Sequence, residues 1–174
     1  MRLQDRSLVI REAAAEDAKL LWRWWNDGEV MEHAGFPRGL GISEEEVVEL
    51  LTDGDPNQHR LILEVDSRPV GEMNYRDLGD GTAQIGIKIC DFSSSRAKAT
   101  APGFCACSPA ISLRRRGYSK IVLDTNLKNT RAQHVYEKLG FRKVRTRINA
   151  WKDQLGEPQS AVDYELTAED FVHE

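Results

Sequence analysis

Apolar positions recur in two rhythms along this chain, one of period two and one of period three to four, and their succession lays out the elements. Leu8, Val9 and Ile10 form a short β-rich run, and from Glu16 to Asn26 the apolar residues Ala18, Leu21, Trp22 and Trp25 fall at helical spacing. A second helix is predicted from the capping box Ser43/Glu46 through Val47, Leu50 and Leu51 to the turn Asp53-Gly54-Asp55-Pro56. Three β-rich runs follow: Arg60 to Val65, Pro69 to Tyr75 and Ala83 to Ile89. Asp66-Ser67 and Gly79-Asp80-Gly81 join them with the turn chemistry of antiparallel hairpins. Further on, Ile121 to Leu123 reads as a buried strand and Asn129 to Leu139 as a helix stopped by Gly140. Val144 to Trp151 and Ala161 to Leu166 read as two strands around Gly156-Glu157-Pro158. The pattern predicts an α/β (α+β) domain with a mixed, mostly antiparallel sheet of about seven strands flanked by helices. It contains no repeat and no low-complexity linker.

A length of 174 residues fits one domain spanning 1–174 with a sizeable core. Hydrophobic content of 40% and charged content of 30% are ordinary for a soluble protein, and no apolar run approaches the roughly 20 residues a membrane helix needs. Met1 to Ser7 lacks the apolar core of a signal peptide, so a cytoplasmic location is expected, with no membrane partner. A net charge of −4 argues against nucleic acid, whose binding depends on a basic surface. It suits a cationic substrate better. Asp27, Glu29, Glu32 and Glu44 to Glu46 could draw an amine toward a cleft, although a solvated helix face is the simpler reading of each one. Cys90, Cys105 and Cys107 are odd in number and lack a fourth ligand, so they read as free thiols and no metal is expected.

The most specific signal lies late in the chain. Leu123-Asp124-Thr125-Asn126, then Asn129, Ala132 and Tyr136-Glu137-Lys138-Leu139-Gly140-Phe141 closely resemble the late motif of GNAT acetyltransferases. The branch that includes the ribosomal-protein N-terminal acetyltransferases is the most similar, and Trp25-Asn26-Asp27 with Val30 resembles its early helix. The order of elements resembles that family over nearly the whole chain. The resemblance implies the acyl-CoA N-acyltransferase fold, with its sheet splayed between the strand Ala83 to Ile89 and the strand Lys120 to Leu123. It implies acetyl-CoA as donor and a primary amine as acceptor, either a protein N-terminus or a small molecule. On a helix Asn129, Ala132 and Tyr136 share one face. The resemblance gives Asn129 the pantetheine arm of CoA and Tyr136 the role of general acid to the departing thiolate. The residues themselves equally allow Asn129 as a helix cap and Tyr136 as a core aromatic. By the same analogy Ile87 and Ile89 offer backbone groups to pantetheine, and Glu72 is the carboxylate placed to serve as base, with a surface strand residue as its simplest alternative. His134, two residues from Tyr136, points elsewhere on the helix and reads as an ordinary histidine.

One stretch departs from the family. The pyrophosphate loop, Gln/Arg-x-x-Gly-x-Gly/Ala at the start of a long helix, is missing. In its place stand Ser93 to Ser108 and Pro109, with Pro102 and Pro109 each costing about 3 kcal/mol inside a helix. Codons can be chosen for Ser93 onward such that reading from the third base yields Gln-Ser-Lys-Gly-Tyr-Gly followed by an amphipathic helix start. Residues 93–115 are therefore expected to be a compensated reading-frame slip, in the gene or in its record, and a divergent loop is the alternative. As written, Arg96, Lys98, Ala99 and Ala101 are the cofactor-binding candidates, the two cations as point charges on the pyrophosphate.

The expected function is acetyl transfer by direct attack of the amine on the thioester. An aminoglycoside-type acetyltransferase is the nearest rival, suggested by the acidic charge and by Trp22, Trp24 and Trp25, which core packing also explains. A non-catalytic CoA-binding domain is the reading if the phosphate loop is truly lost. Oligomeric state is left open, a homodimer included.

Overall fold

The computed structural model describes residues 2–5, 8–91, 116–167 and 169–170. The proposed slip at 93–115, with Arg96, Lys98, Ala99 and Ala101, lies outside the described residues.

Among the described residues eight strands form one sheet, in spatial order β1-β2-β3-β4-β5-β6-β8-β7. They are β1 (Arg2–Asp5), β2 (Leu8–Glu12), β3 (Gln58–Val65), β4 (Arg68–Gly79), β5 (Thr82–Ile89), β6 (Lys120–Asn126), β7 (Arg142–Lys152) and β8 (Pro158–Thr167). β1, which pairs with β2, is the one strand beyond the seven the sequence pattern suggests. Every pairing is antiparallel except β5 with β6, which run parallel. The two tight turns do what their residues require: Asp66 and Ser67 both adopt positive φ (49° and 62°), the conformation of a two-residue hairpin turn. Among the described residues four α-helices accompany the sheet: α1 (Ala18–Trp25), α2 (Gly28–Met31), α3 (Glu44–Thr52) and α4 (Thr130–Lys138). α3 opens with the reciprocal Ser43/Glu46 capping box that its sequence announces.

Strand alternation divides the core between the two faces of the sheet. Leu61 and Leu63 of β3 join a large cluster with Met73, Tyr75, Ile85, Ile121, Leu123, Tyr136 and Tyr164, on the face that α4 covers. Ile62, between them, packs instead with Leu21 and Trp25 of α1, Met31 of α2 and Val47 of α3. α1 turns Ala18, Leu21 and Trp25 inward at helical spacing, and Leu21 is fully buried. Removing its side chain by Leu21→Ala would cost about 2–5 kcal/mol.

The loop after α1 is tied in two places. Asn26 Oδ1 accepts from Gly41 N–H (2.7 Å) and Ile42 N–H (3.0 Å), and its Nδ2 donates to Ile42 C=O (2.8 Å). From the far end of the chain, Gln154 in the β7–β8 turn donates its N–H to Gly35 C=O (2.8 Å) and its Nε2 to Gly39 C=O (3.0 Å). Its Oε1 accepts from Arg38 N–H at 2.9 Å. Gly35 sits at φ 95° with the ring of Trp151 against it, so a Cβ there would stand 2.4 Å from the ring.

Candidate active site at the splay between two parallel strands

β5 and β6 pair only at Thr82–Lys120, Ala83–Ile121 and Gln84–Val122. Beyond that point β5 runs on to Ile89 and β6 to Asn126 with no register between them, which is the splay expected from the sequence. β6 stays paired with β8 along its whole length, and β5 with β4. The gap therefore opens within an otherwise continuous sheet, at the carboxyl ends of two parallel strands, where crevices of open α/β sheets take ligands.

The backbone of β5 has a defined orientation toward this gap. Lys120 N–H donates to Gly81 C=O on the β6 side (3.1 Å), whereas Cys90 N–H donates to Val70 C=O on the β4 side (2.8 Å). Main-chain groups of successive strand residues point to opposite edges. Odd-numbered residues of β5, Ile85, Ile87 and Ile89, thus turn their N–H and C=O toward the gap, and Gly86 and Lys88 turn theirs to β4. A row of such groups is a template for an extended, amide-bearing ligand.

The face below the gap is apolar. Ile87, Ile89 and Ala132 pack against the cluster that contains Tyr136, so four of the expected site residues meet there. Tyr136 is buried and its ring lies 5.9 Å from both Phe141 and Tyr164, in tilted contact. Asn129 caps α4: its Oδ1 accepts from Ala132 N–H at 3.1 Å. With that oxygen engaged, the side-chain NH2 is the group best placed to donate to a ligand carbonyl. His134 is exposed, in line with its ordinary role.

Glu72 lies on the opposite face and is the main correction to the sequence reading of individual residues. A surface strand position was its simplest alternative, yet its side chain is 2% exposed. Its Oε1 accepts from the indole N–H of Trp25 (2.9 Å) and from Lys88 Nζ (2.9 Å), while Oε2 is buried and, among the described residues, without a hydrogen-bond partner. Arg60 stacks its guanidinium over the same Trp25 ring, 4.7 Å from the centroid. A carboxylate held this way is costly to bury unless paired, and Lys88, 28% exposed, is the member of the pair that reaches solvent. In the sequence Trp25 stood out as part of the early helix and the tryptophan cluster, with no link to Glu72, and Lys88 did not stand out at all. The hairpin turn at 79–81 carried the signal for Lys88, because it sets the register that places Lys88 opposite Glu72. Cys90, just past β5, is buried, and its thiol is pushed up by burial first and then by the Glu72 charge. It is held as a thiol, which disfavours it as a nucleophile. Asp27 caps α2 by accepting from Glu29 N–H (2.9 Å), and Glu45, Glu46, Glu29 and Glu32 are exposed, as solvated helix faces would be. Among the described residues no cluster of His, Cys, Asp or Glu could hold a metal ion, and no helix is long and apolar enough to cross a membrane.

A splayed α/β sheet, a capped helix beneath it and a buried carboxylate beside it define an acyltransferase-type architecture, and comparisons agree. A family model described as an acetyltransferase (GNAT) domain matches residues 7–142, and the chain belongs to that family. Among solved structures it is similar to spermidine N-acetyltransferase from Vibrio cholerae in complex with CoA and spermine, at TM-score 0.85 and 18% identity, over 97% of this chain and 100% of that one. It is also similar to a GNAT-family acetyltransferase from Bacillus anthracis, at TM-score 0.78 and 19% identity, over 97% and 99%. No curated protein matches the chain in sequence.

Proposed function

We propose that this domain transfers the acetyl group of acetyl-CoA to a primary amine, with the pantetheine arm lying in the gap between β5 and β6. The observation that carries the reading is the ladder that stops at Gln84–Val122 and leaves Ile87 and Ile89 facing a gap. In this reading their N–H and C=O groups pair with the amides of the arm, and Asn129, next to Ala132, donates to it from the end of α4. The pyrophosphate would fall to residues 96–101, with Arg96 and Lys98 as charges and Ala99 and Ala101 as close backbone contacts.

The amine nitrogen forms the new C–N bond to the acetyl carbon as the C–S bond breaks. Glu72 receives the proton the amine sheds, through an ordered water, because its side chain is almost fully buried. Tyr136 gives its proton to the departing sulfur. The acceptor is a protein N-terminus or a small amine. The motif's resemblance to the N-terminal acetyltransferase branch favours an α-amine. The spermidine acetyltransferases among the structural neighbours keep polyamines in the panel. The test is release of free thiol from acetyl-CoA over peptides, small amines, polyamines and aminoglycosides. Release that depends on an amine supports the reading. Tight binding of acetyl-CoA with no release over the whole panel would make this a CoA-binding domain instead.

A further inference from the structure

Glu72 and Lys88 face each other across β4 and β5, on the face of the sheet that α1 and α3 cover. Lys88 sits between Ile87 and Ile89, so the pair borders the gap on the side opposite α4. An amine arriving from that side meets Glu72, and that carboxylate is already occupied. Lys88 Nζ is 2.9 Å from Oε1 and the Trp25 indole N–H is 2.9 Å from the same oxygen. Oε2 is buried and, among the described residues, without a hydrogen-bond partner, so the carboxylate keeps an acceptor oxygen unused.

We propose that Lys88 is a specificity-determining residue: its ammonium holds the seat on Glu72 that a second ammonium of an acceptor would take, so the site accepts single amines and disfavours polyamines. This rests on the acetyl-transfer reading for the location of the acceptor. A linear polyamine gains affinity when a buried carboxylate neutralises its distal charge, because attraction between charges grows as water is removed. Here the chain supplies that charge itself, covalently and at permanent occupancy. An incoming ammonium must either displace Lys88 or remain beside it, and like charges side by side are repelled. A monoamine, or a peptide whose only cation is its N-terminus, escapes this penalty because it carries no second ammonium that stays charged once the reacting nitrogen has lost its proton.

Spermidine binding measured by calorimetry without acetyl-CoA tests the seat apart from turnover, on the unmodified chain and on Lys88→Met and Lys88→Arg. Lys88→Met is expected to bind spermidine at least tenfold more tightly than the unmodified chain, and Lys88→Arg, which keeps a cation on Glu72, to bind it as weakly as the unmodified chain. The gain should vanish in the double variant Lys88→Met/Glu72→Gln. With acetyl-CoA present, kcat/KM for spermidine relative to a neutral peptide should rise by a similar factor in Lys88→Met, through KM. Spermidine binding in folded Lys88→Met no tighter than in the unmodified chain overturns the proposal, as does an equal gain in Lys88→Arg. If Lys88→Met misfolds by thermal melt, the Lys88→Arg result and the unmodified chain's preference decide: tight spermidine binding by either overturns it. Absence of thiol release with every amine, alongside the expected binding gain, would sink acetyl transfer and leave the seat on Glu72 standing.

Discussion

Trp25→Phe separates the hydrogen bond to Glu72 from the bulk of the ring that makes it. Trp25 is 3% exposed, packs among α1, α3 and β3, and donates its indole N–H to Glu72 at 2.9 Å. Phenylalanine keeps a six-membered ring in the core and removes the donor. A hydrogen bond to a charged group contributes about 1.5–3 kcal/mol, and the lower end applies because Lys88 still serves the same oxygen. The missing ring atoms leave a small cavity costing roughly 1 kcal/mol. Weaker attraction to the Arg60 guanidinium removes about 0.5 kcal/mol. The sum is a loss of about 3 kcal/mol, read as a lowered urea midpoint at unchanged slope. The hydrogen bond itself is isolated by a cycle with Glu72→Gln, in which coupling of about 1 kcal/mol or more is expected between the two changes. A total loss under about 1 kcal/mol, or additive single changes, would refute the claim that Trp25 holds Glu72.

Tyr136→Phe should lower kcat by about 100-fold or more while leaving acetyl-CoA affinity nearly intact, since only the transition state needs its proton; unchanged turnover would remove Tyr136 from the mechanism. Arg147 and then Arg145 hydrogen-bond Asp163 and hold its carboxyl below the usual aspartate range. Its stabilisation is therefore present above the unfolded-state value near 3.9 and is lost as pH falls through the lower folded value. Asp163→Asn should cost about 1–2 kcal/mol at pH 7 and much less in acid, and equal costs at both pH values in urea titrations would contradict this. Gly35→Ala must adopt a left-handed backbone with its Cβ against Trp151, so it should lower thermal stability by about 1–3 kcal/mol, and an unshifted melt would show the loop free to move. Sequencing the coding DNA across residues 93–115 decides the reading-frame proposal, which predicts a compensated shift; an uninterrupted frame with unrelated codons would end it.

Much of the fold was legible because local chemistry and tertiary need agree. The Ser43/Glu46 box opens α3, Asp66-Ser67 turns β3 into β4, and Gly140 ends α4 at φ 88°. β1 escaped because alternating charges in so short a segment give no apolar face to count. α2 escaped because one turn of helix, Gly28–Met31, is too short for periodicity to register. The site divides in the same way. Asn129, Ala132 and Tyr136 sit in one contiguous motif, and the helix between them fixes their common face. Glu72 was misjudged in its surroundings because a strand pattern reveals which residues alternate but not what covers the second face. Here α1 covers it, and a tryptophan 47 positions away supplies the donor. Lys88 was missed for a related reason: in isolation a lysine in a strand reads as solvent-facing, and only the register of the hairpin pairs it with Glu72.

The central claim is that the gap beyond Gln84–Val122 receives the amide-bearing arm of acetyl-CoA along the β5 edge. Amide-resolved hydrogen exchange, with and without saturating acetyl-CoA, tests it directly, because alternation along β5 assigns the response residue by residue. The account predicts that the Ile87 and Ile89 amides gain protection on binding well beyond any gain at Gly86 and Lys88, whose N–H groups already face β4. Saturation with acetyl-CoA that leaves Ile87 and Ile89 unchanged, or that protects odd and even positions alike, would contradict it.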